Sequence, residues 1–102
     1  MREESKMPKA YAVVAYRSIP APERLGAYFK LAAAAVTPFG GRILARGNAA
    51  VVREQGLKER TVIIEYPSME MATAAYSSPA YAKAFKALGE VARDFRIVEG
   101  VE

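Results

Sequence analysis

The pattern of apolar positions predicts a strand and then a helix in the first part of the chain. Between Lys9 and Arg17, apolar side chains fill both alternating registers, as in a central strand that is covered on both faces. From about Pro22 to Val36 they recur three and four residues apart, the spacing of the apolar stripe of a helix. Pro38 and the pair Gly40-Gly41 end this helix, because proline cannot continue the hydrogen-bond ladder and glycine adopts a left-handed turn easily.

Two strands are predicted in the middle of the chain. The first begins near Arg42, reaches a bulge or kink at Gly47-Asn48 and continues through Val51-Val52. The second is the β-branched and apolar run Thr61–Tyr66, which ends at a proline. A turn between these two strands would make them neighbours in a sheet.

The last third of the chain predicts an interrupted helix and a final strand. The helix begins after Ser68, breaks at Ser77-Ser78-Pro79 and restarts with the serine as its cap and the proline at its first position. The final strand covers Phe95–Val101. The resulting order is βαββαβ, which matches the ferredoxin-like α+β arrangement: a four-stranded antiparallel sheet with two helices on one face.

This arrangement leaves the second face of the sheet uncovered. The apolar residues of the first and third strands would then form a patch larger than a monomer normally exposes. Burying several hundred Å² of apolar area contributes on the order of 10 kcal/mol before the costs of association. We therefore expect a homodimer that packs sheet against sheet about a twofold axis.

Composition narrows the functional classes. The chain has 102 residues, no His, no Cys and no Trp, and a net charge of +4 from 15 Lys and Arg against 11 Asp and Glu. Without imidazole or thiol groups we expect no bound metal or other cofactor and no disulfide, and a cytoplasmic location is the default. The basic residues are scattered, so we expect no nucleic-acid partner, and no apolar run is long enough to span a membrane.

The charged residues of the middle strands suggest one candidate site. A glutamate rarely faces a helix-packed core, so we place Glu65 on the open face, with Arg42 and Arg46 beside it on the neighbouring strand. Arginine suits a carboxylate, enolate or phosphate, so Arg42 could stabilise an oxyanion while Glu65 acts as a base and Arg46 binds the ligand. The alternative is an ion pair at the dimer interface.

Tyrosines form the second group of candidates. Tyr11, Tyr16, Tyr28 and Tyr66 could each offer a phenolic donor to a ligand. The alternative is that they bury their rings and satisfy one hydroxyl each within the core.

Four segments in a fixed order support a family resemblance: Met7–Tyr11, Gly40–Gly47, Tyr76–Tyr81 and Ile97–Val101. Together they resemble the family called domain of unknown function 1330, in the dimeric α+β barrel superfamily, over about residues 7–102. The resemblance implies one ferredoxin-like domain that dimerises, with residues 1–6 as a flexible extension. It implies no activity, because superfamily relatives include cofactor-free monooxygenases, lactone isomerases, haem-dependent enzymes and dimeric stress proteins.

The functional expectation is a cytoplasmic homodimer that binds a small anionic or polar-aromatic molecule in a cleft between sheet and helices. If it catalyses a reaction, its residues favour cofactor-independent proton transfer or isomerisation with Glu65 as base and Arg42 or Arg46 as oxyanion stabiliser. The alternative is a non-catalytic structural or interaction dimer whose interface side chains fill the open face.

Overall fold

Four antiparallel strands form one sheet, and the helices pack on one of its faces. The computed structural model describes residues 8–101. The elements in chain order are β1 (Ala10–Tyr16), α1 (Pro22–Val36), β2 (Arg42–Asn48), β3 (Arg60–Tyr66), α2 (Met69–Tyr76), α3 (Pro79–Leu88) and β4 (Arg93–Glu99). The strand order is β2-β3-β1-β4, which confirms the ferredoxin-like α+β fold and the central position of β1. The extension predicted at residues 1–6 lies outside the described residues.

Local sequence signals set the helix boundaries where they were predicted. Helix α1 has Pro22 at its first position and leads into a single 3-10 turn that ends at Gly40, whose φ is 80°. The hydroxyl of Ser68 accepts a hydrogen bond from the Met71 amide and caps α2, and that of Ser78 accepts one from the Tyr81 amide and caps α3. The predicted break in the second helix is therefore confirmed. None of the helices between residues 8 and 101 combines the length and apolarity needed to cross a bilayer.

Small side chains and tyrosines share the core between sheet and helices. Ala10 and Ala12 of β1 are fully buried and pack with Ala72 and Ala75, so α2 approaches the sheet closely. Aromatic rings fill the remaining space, and the buried tyrosines are Tyr16, Tyr28, Tyr66 and Tyr81. The core therefore contains polar hydroxyls that need hydrogen-bond partners.

The strand registers assign each side chain to a face of the sheet. Ala12 is paired with Ile64, and both lie on the face that the helices cover. Val13 is paired with Ile63, one residue along each strand, and both lie on the opposite face, which we call the open face. The centre of the open face is therefore apolar.

Three strand predictions were wrong: the position of the bulge, the end of β2 and the start of β4. The bulge lies at Leu44, between Ile43 and Ala45, rather than at Gly47-Asn48. Strand β2 ends at Asn48 and does not continue through Val51-Val52, which lie in the irregular segment 49–59. Strand β4 begins two residues earlier than predicted, so that Arg93 is its first residue.

A pair of glycine substitutions tests the packing between α1 and β3. A Cβ on Gly41 would lie 2.9 Å from the Tyr66 ring and 3.0 Å from the Val36 carbonyl oxygen, whereas a Cβ on Gly26 would meet nothing within 4 Å. We expect Gly41→Ala to lower the free energy of unfolding by about 1–3 kcal/mol. Gly26→Ala, in the interior of a helix, should raise it by about 0.5–1 kcal/mol. Urea denaturation measures both, and equal effects of the two changes would contradict this packing.

Candidate functional site

An arginine at the start of β4 lies under the helices and forms the centre of a polar cluster. Arg93 shares the helix-covered face with Phe95, because alternate residues of a strand point the same way. Its Nη1 donates to the hydroxyl of Tyr28 on α1, and its Nη2 donates to the hydroxyl of Tyr81 on α3, both at 3.2 Å. The two hydroxyls are 2.9 Å apart and share a hydrogen bond. Three elements thus meet at one guanidinium.

The cluster has hydrogen-bond donors left over but no strong acceptor. Each tyrosine hydroxyl accepts from Arg93, and one of the two donates its hydrogen to the other. The second hydroxyl hydrogen and the other guanidinium N–H groups have no partner within this triangle. A group placed against Arg93, Tyr28 and Tyr81 would therefore be recognised as a hydrogen-bond acceptor.

Aromatic rings surround the guanidinium. The Arg93 Cζ lies 5.3 Å from the ring centroid of Tyr28, 5.4 Å from that of Tyr16 and 5.5 Å from that of Phe95. These cation–π contacts stabilise the charge without neutralising it. Within residues 8–101, no carboxylate forms a salt bridge with Arg93.

Burial and the neighbouring charge change the pKa values of these groups. Burial raises the pKa of Tyr28 and of Tyr16 above the ordinary value for tyrosine, although Arg93 opposes the shift at both. Burial disfavours the charged form of Arg93, but hydrogen bonds to Tyr28 and Tyr81 outweigh it and leave the pKa of Arg93 above its usual value. Arg93 therefore carries a positive charge at neutral pH, and the phenols of Tyr16 and Tyr28 are neutral.

A second pair of tyrosines continues the cluster towards β3. The hydroxyl of Tyr66, which is fully buried, donates to that of Tyr76 at 2.7 Å. The Tyr76 ring packs edge-on against the Tyr81 ring, with their centroids 4.9 Å apart. Burial raises the pKa of Tyr66 to about 12 and that of Tyr76 higher still.

A small cavity lies beside Arg93, between the sheet and α1. It has a volume of about 30 Å³, which is room for roughly two water molecules. Two of its lining residues are charged, Arg60 and Arg93, and none of those in the described part of the chain is an aspartate or glutamate. Tyr16, Tyr28, Tyr76 and Tyr81 supply the hydroxyl-bearing part of the wall. The cavity is thus an apolar space with a positive, donor-rich end.

Two further arginines lie over an aromatic ring in the cavity wall. The Cζ of Arg46 is 4.0 Å from the ring centroid of Phe29, and the Cζ of Arg60 is 5.3 Å from it. This position corrects the expectation that Arg46 lies on the open face with Arg42. The bulge at Leu44 reverses the alternation of β2, so Arg42 is paired with Glu65 while Arg46 is paired with Val62 on the helix-covered face.

The predicted Glu65–Arg42 contact does form, on the other side of the sheet from the cavity. The Glu65 carboxylate is 3.4 Å from Arg42 Nη2 and 3.6 Å from Lys9 Nζ, and it accepts a hydrogen bond of 3.3 Å from the Tyr11 hydroxyl. None of these four residues lines the cavity beside Arg93. The predicted residues thus separate into two groups, with Tyr16 and Tyr66 beneath the helices and Tyr11, Arg42 and Glu65 on the open face.

The sequence interpretation missed the centre of the cluster. Arg93, Tyr76 and Tyr81 were not proposed as site residues, and Tyr28 was proposed only as a phenolic donor. The signal for Arg93 is its register, because an arginine two residues before Phe95 and four before Ile97 shares their apolar face once the strand is extended to include it. Between residues 8 and 101, no group of three or more Asp or Glu side chains is placed to hold a metal ion.

Comparisons with known structures support the fold. A protein of unknown function from Rhodopseudomonas palustris is 16% identical and superposes with a TM-score of 0.72 over 93% of this chain and 84% of its own. SnoaB, a cofactor-independent oxygenase from Streptomyces nogalater, is 15% identical, with a TM-score of 0.64 over 93% and 95% of the two chains. A protein from Bacteroides fragilis, described as dimeric and ferredoxin-like, is 14% identical, with a TM-score of 0.57 over 90% and 96%.

The strand order, the helix-covered face and these structural likenesses define a ferredoxin-like α+β protein. Residues 9–101 match the family described as domain of unknown function DUF1330, and the chain belongs to that family. The resemblance inferred from the four sequence segments is thereby confirmed. No protein with curated annotation matches the chain in sequence.

The raised tyrosine pKa values predict a loss of stability at high pH. The folded state holds the phenolic proton of Tyr66 up to about pH 12, whereas the unfolded state releases it near pH 10.0. Between these values the folded state binds more protons, so the free energy of unfolding falls as the pH rises, by up to about 1.4 kcal/mol per pH unit for each such group. Urea denaturation between pH 8 and pH 12 should show this fall.

The variant Tyr66→Phe isolates the contribution of Tyr66 to the fall of the free energy of unfolding with pH. It removes the hydrogen bond to Tyr76 at every pH, so it should lower stability by about 1 kcal/mol at pH 8. Its stability should then fall less steeply than that of the wild type above pH 10. Parallel curves for the two proteins would contradict the assigned pKa of Tyr66.

Proposed function

We propose that this protein binds a small organic anion in the cavity between sheet and helices, with Arg93 as the residue that recognises the charge. The observation that carries the proposal is a largely buried cluster of donors that forms no salt bridge with any carboxylate of residues 8–101. Tyr28 and Tyr81 hold the guanidinium in place, and unused donors remain for a ligand. An enolate, phenolate or carboxylate oxygen has the charge and the acceptors that this cluster needs.

Electrostatics supports an anion over a neutral ligand. Arg93 keeps its charge beneath the helices and forms no salt bridge with a carboxylate of residues 8–101, so a bound anion would gain a charge-assisted hydrogen bond. Arg60 lines the same cavity, and Arg46 lies over its Phe29 wall, so the local potential is positive from three sides.

The residues of the cavity favour binding over proton abstraction. A general base must accept a proton near neutral pH, and burial raises the pKa of Tyr16, Tyr28 and Tyr76 away from that range. Glu65, proposed from the sequence as the base, lies on the opposite face of the sheet. The ligand that fits best is therefore already ionised when it enters. The oxygenase activity of SnoaB belongs to that protein, and the shared fold does not transfer it.

The open face fits a second copy of the chain. Val13 and Ile63 form its apolar centre, and two ion pairs, Arg42–Glu65 and Arg96–Asp94, stand beside them. Charges that are already paired are less costly to cover than isolated ones. The structurally similar protein from Bacteroides fragilis is described as dimeric, which supports a dimer here as well. We therefore assign Glu65, Arg42 and Tyr11 to a homodimer interface, and the cytoplasmic location inferred from the sequence stays a prediction.

Thermal-shift measurements with acetate and benzoate test the anion site. A ligand that binds the folded state stabilises it by RT ln(1 + [L]/Kd), so a millimolar binder added at tens of millimolar should raise the melting temperature by a few degrees. We expect Arg93→Met to lose this shift. The matched control is Arg42→Met, which removes an arginine from the open face and should keep it.

For each protein, the shift caused by the carboxylate must be compared with the shift caused by sodium chloride at the same ionic strength. Sodium chloride screens surface charges equally but offers no carboxylate. A carboxylate-specific shift that survives in Arg93→Met would contradict the role of Arg93. So would the absence of any carboxylate-specific shift in the wild type.

Sedimentation velocity tests the homodimer. We expect a dimer at micromolar concentration and a monomer for Ile63→Asp, because the new carboxylate would be buried without a partner at the centre of the open face. Val51→Asp, at a valine that is 76% exposed outside the sheet, is the control and should remain dimeric. A wild-type protein that sediments as a folded monomer would overturn the assignment.

A further inference from the structure

A second, larger space lies next to the anion cavity and shares part of its wall. The groove has a volume of about 260 Å³ and runs between the β1–α1 connection and the facing ends of β2 and β3. Tyr16 and Arg60 line both the groove and the cavity. Among the described residues, these two side chains are the ones common to both walls, so the two spaces adjoin at Tyr16 and Arg60.

The sizes of the two spaces imply different contents. The cavity beside Arg93 has a volume of about 30 Å³, which suits a carboxylate-sized head group and nothing larger. The rest of an organic anion must therefore lie outside it. The groove that adjoins it at Tyr16 and Arg60 is almost nine times larger and is a neighbouring space that could receive it.

The lining of the groove favours an uncharged, apolar body. Its apolar residues are Ile19, Pro20, Pro22 and Leu25, which follow one another closely on the β1–α1 connection and the first turn of α1. Its charged residues are one cation, Arg60, and one anion, Glu59, so their charges cancel. The cavity, in contrast, is lined by two arginines and by no carboxylate from the described residues 8–101. A second anionic group would gain little in the groove.

Two hydrogen bonds connect one wall of the groove to the strand that carries the anion site. The Arg17 amide donates to the Ala92 carbonyl at 2.8 Å, and the Ser18 hydroxyl accepts from the Ala92 amide at 2.9 Å. Ala92 immediately precedes Arg93. The connection that carries Ile19 and Pro20 is therefore tied to the strand that carries the arginine.

We infer that the ligand is an amphiphilic anion whose head group binds Arg93 and whose apolar tail lies in this groove along Ile19, Pro20 and Leu25. The inference rests on the proposed anion site and adds the class of molecule. Arg60 and Tyr16 then contact the junction between head and tail. Chain length, rather than a second charge, becomes the property that the protein selects.

A series of straight-chain carboxylates tests this inference. NMR titration of the full-length protein with acetate, butyrate, hexanoate and octanoate gives a Kd for each, even in the millimolar range. Since a buried methylene contributes roughly 0.8 kcal/mol, we expect Kd to fall about twofold to fourfold for each methylene added, less where the groove covers it incompletely. Arg93→Met should weaken all four ligands.

The tail contact has its own matched pair of variants. Ile19 is 79% exposed and Val51 is 76% exposed, so serine at either position should leave the fold intact. We expect Ile19→Ser to weaken octanoate several-fold without changing acetate, and Val51→Ser to change neither. An octanoate affinity that is unaffected by Ile19→Ser would overturn the position of the tail.

The proposed function and this inference fail in different ways. If acetate binds through Arg93 but Kd does not fall from acetate to octanoate, the anion site stands and the amphiphilic ligand is overturned. If no carboxylate of the series binds, the anion site itself is overturned, and the inference with it.

Discussion

The fold depends on satisfying the hydroxyl groups of tyrosines that are buried between the sheet and the helices. Leaving such a group without a partner costs roughly 1–3 kcal/mol, so the positions of these rings are tightly constrained. For Tyr28, Tyr66 and Tyr81 the hydroxyls satisfy one another: Tyr28 and Tyr81 bond to each other and to Arg93, while Tyr66 bonds to Tyr76. Tyr28 lies on α1, Tyr81 on α3 and Arg93 on β4. One hydrogen-bonded cluster therefore fixes the positions of α1 and α3 on the sheet. The same cluster creates the surplus of donors from which an anion site can be built.

The break between α2 and α3 makes this cluster possible. Tyr76 and Tyr81 are five residues apart, and on a continuous helix they would point about 140° away from each other. Ser77 ends the first helix, and the Ser78 hydroxyl caps the second, so the chain changes direction between the two rings. The rings then pack edge to face at 4.9 Å. An interruption that looks like a local irregularity in the sequence therefore joins the two tyrosine pairs.

The features predicted correctly from the sequence are those that neighbouring residues determine. Pro22 at the start of α1, the Gly40 turn and the Ser78 cap depend on residues a few positions away. The bulge at Leu44 depends on pairing with β3, which a single strand does not reveal, and one extra residue was enough to move Arg46 to the other face. Arg93 was missed for a similar reason. At a strand end an arginine is usually solvated, and its partner Tyr28 is 65 residues away.

Arginines on the two faces of the sheet have different partners. On the open face, Arg42 and Arg96 each contact a carboxylate, Glu65 and Asp94. Beneath the helices, Arg93 contacts tyrosine hydroxyls and aromatic rings, and no carboxylate in the part of the chain described by the structure pairs with it. Charges on a surface that a second protein covers must already be paired, because burying an unpaired charge in an interface is costly. A site that receives an anion needs the opposite arrangement, because a carboxylate already in place would compete with the ligand. The distribution of partners, more than the net charge of +4, is therefore the reason we propose association for the open face and anion binding for the helix-covered face.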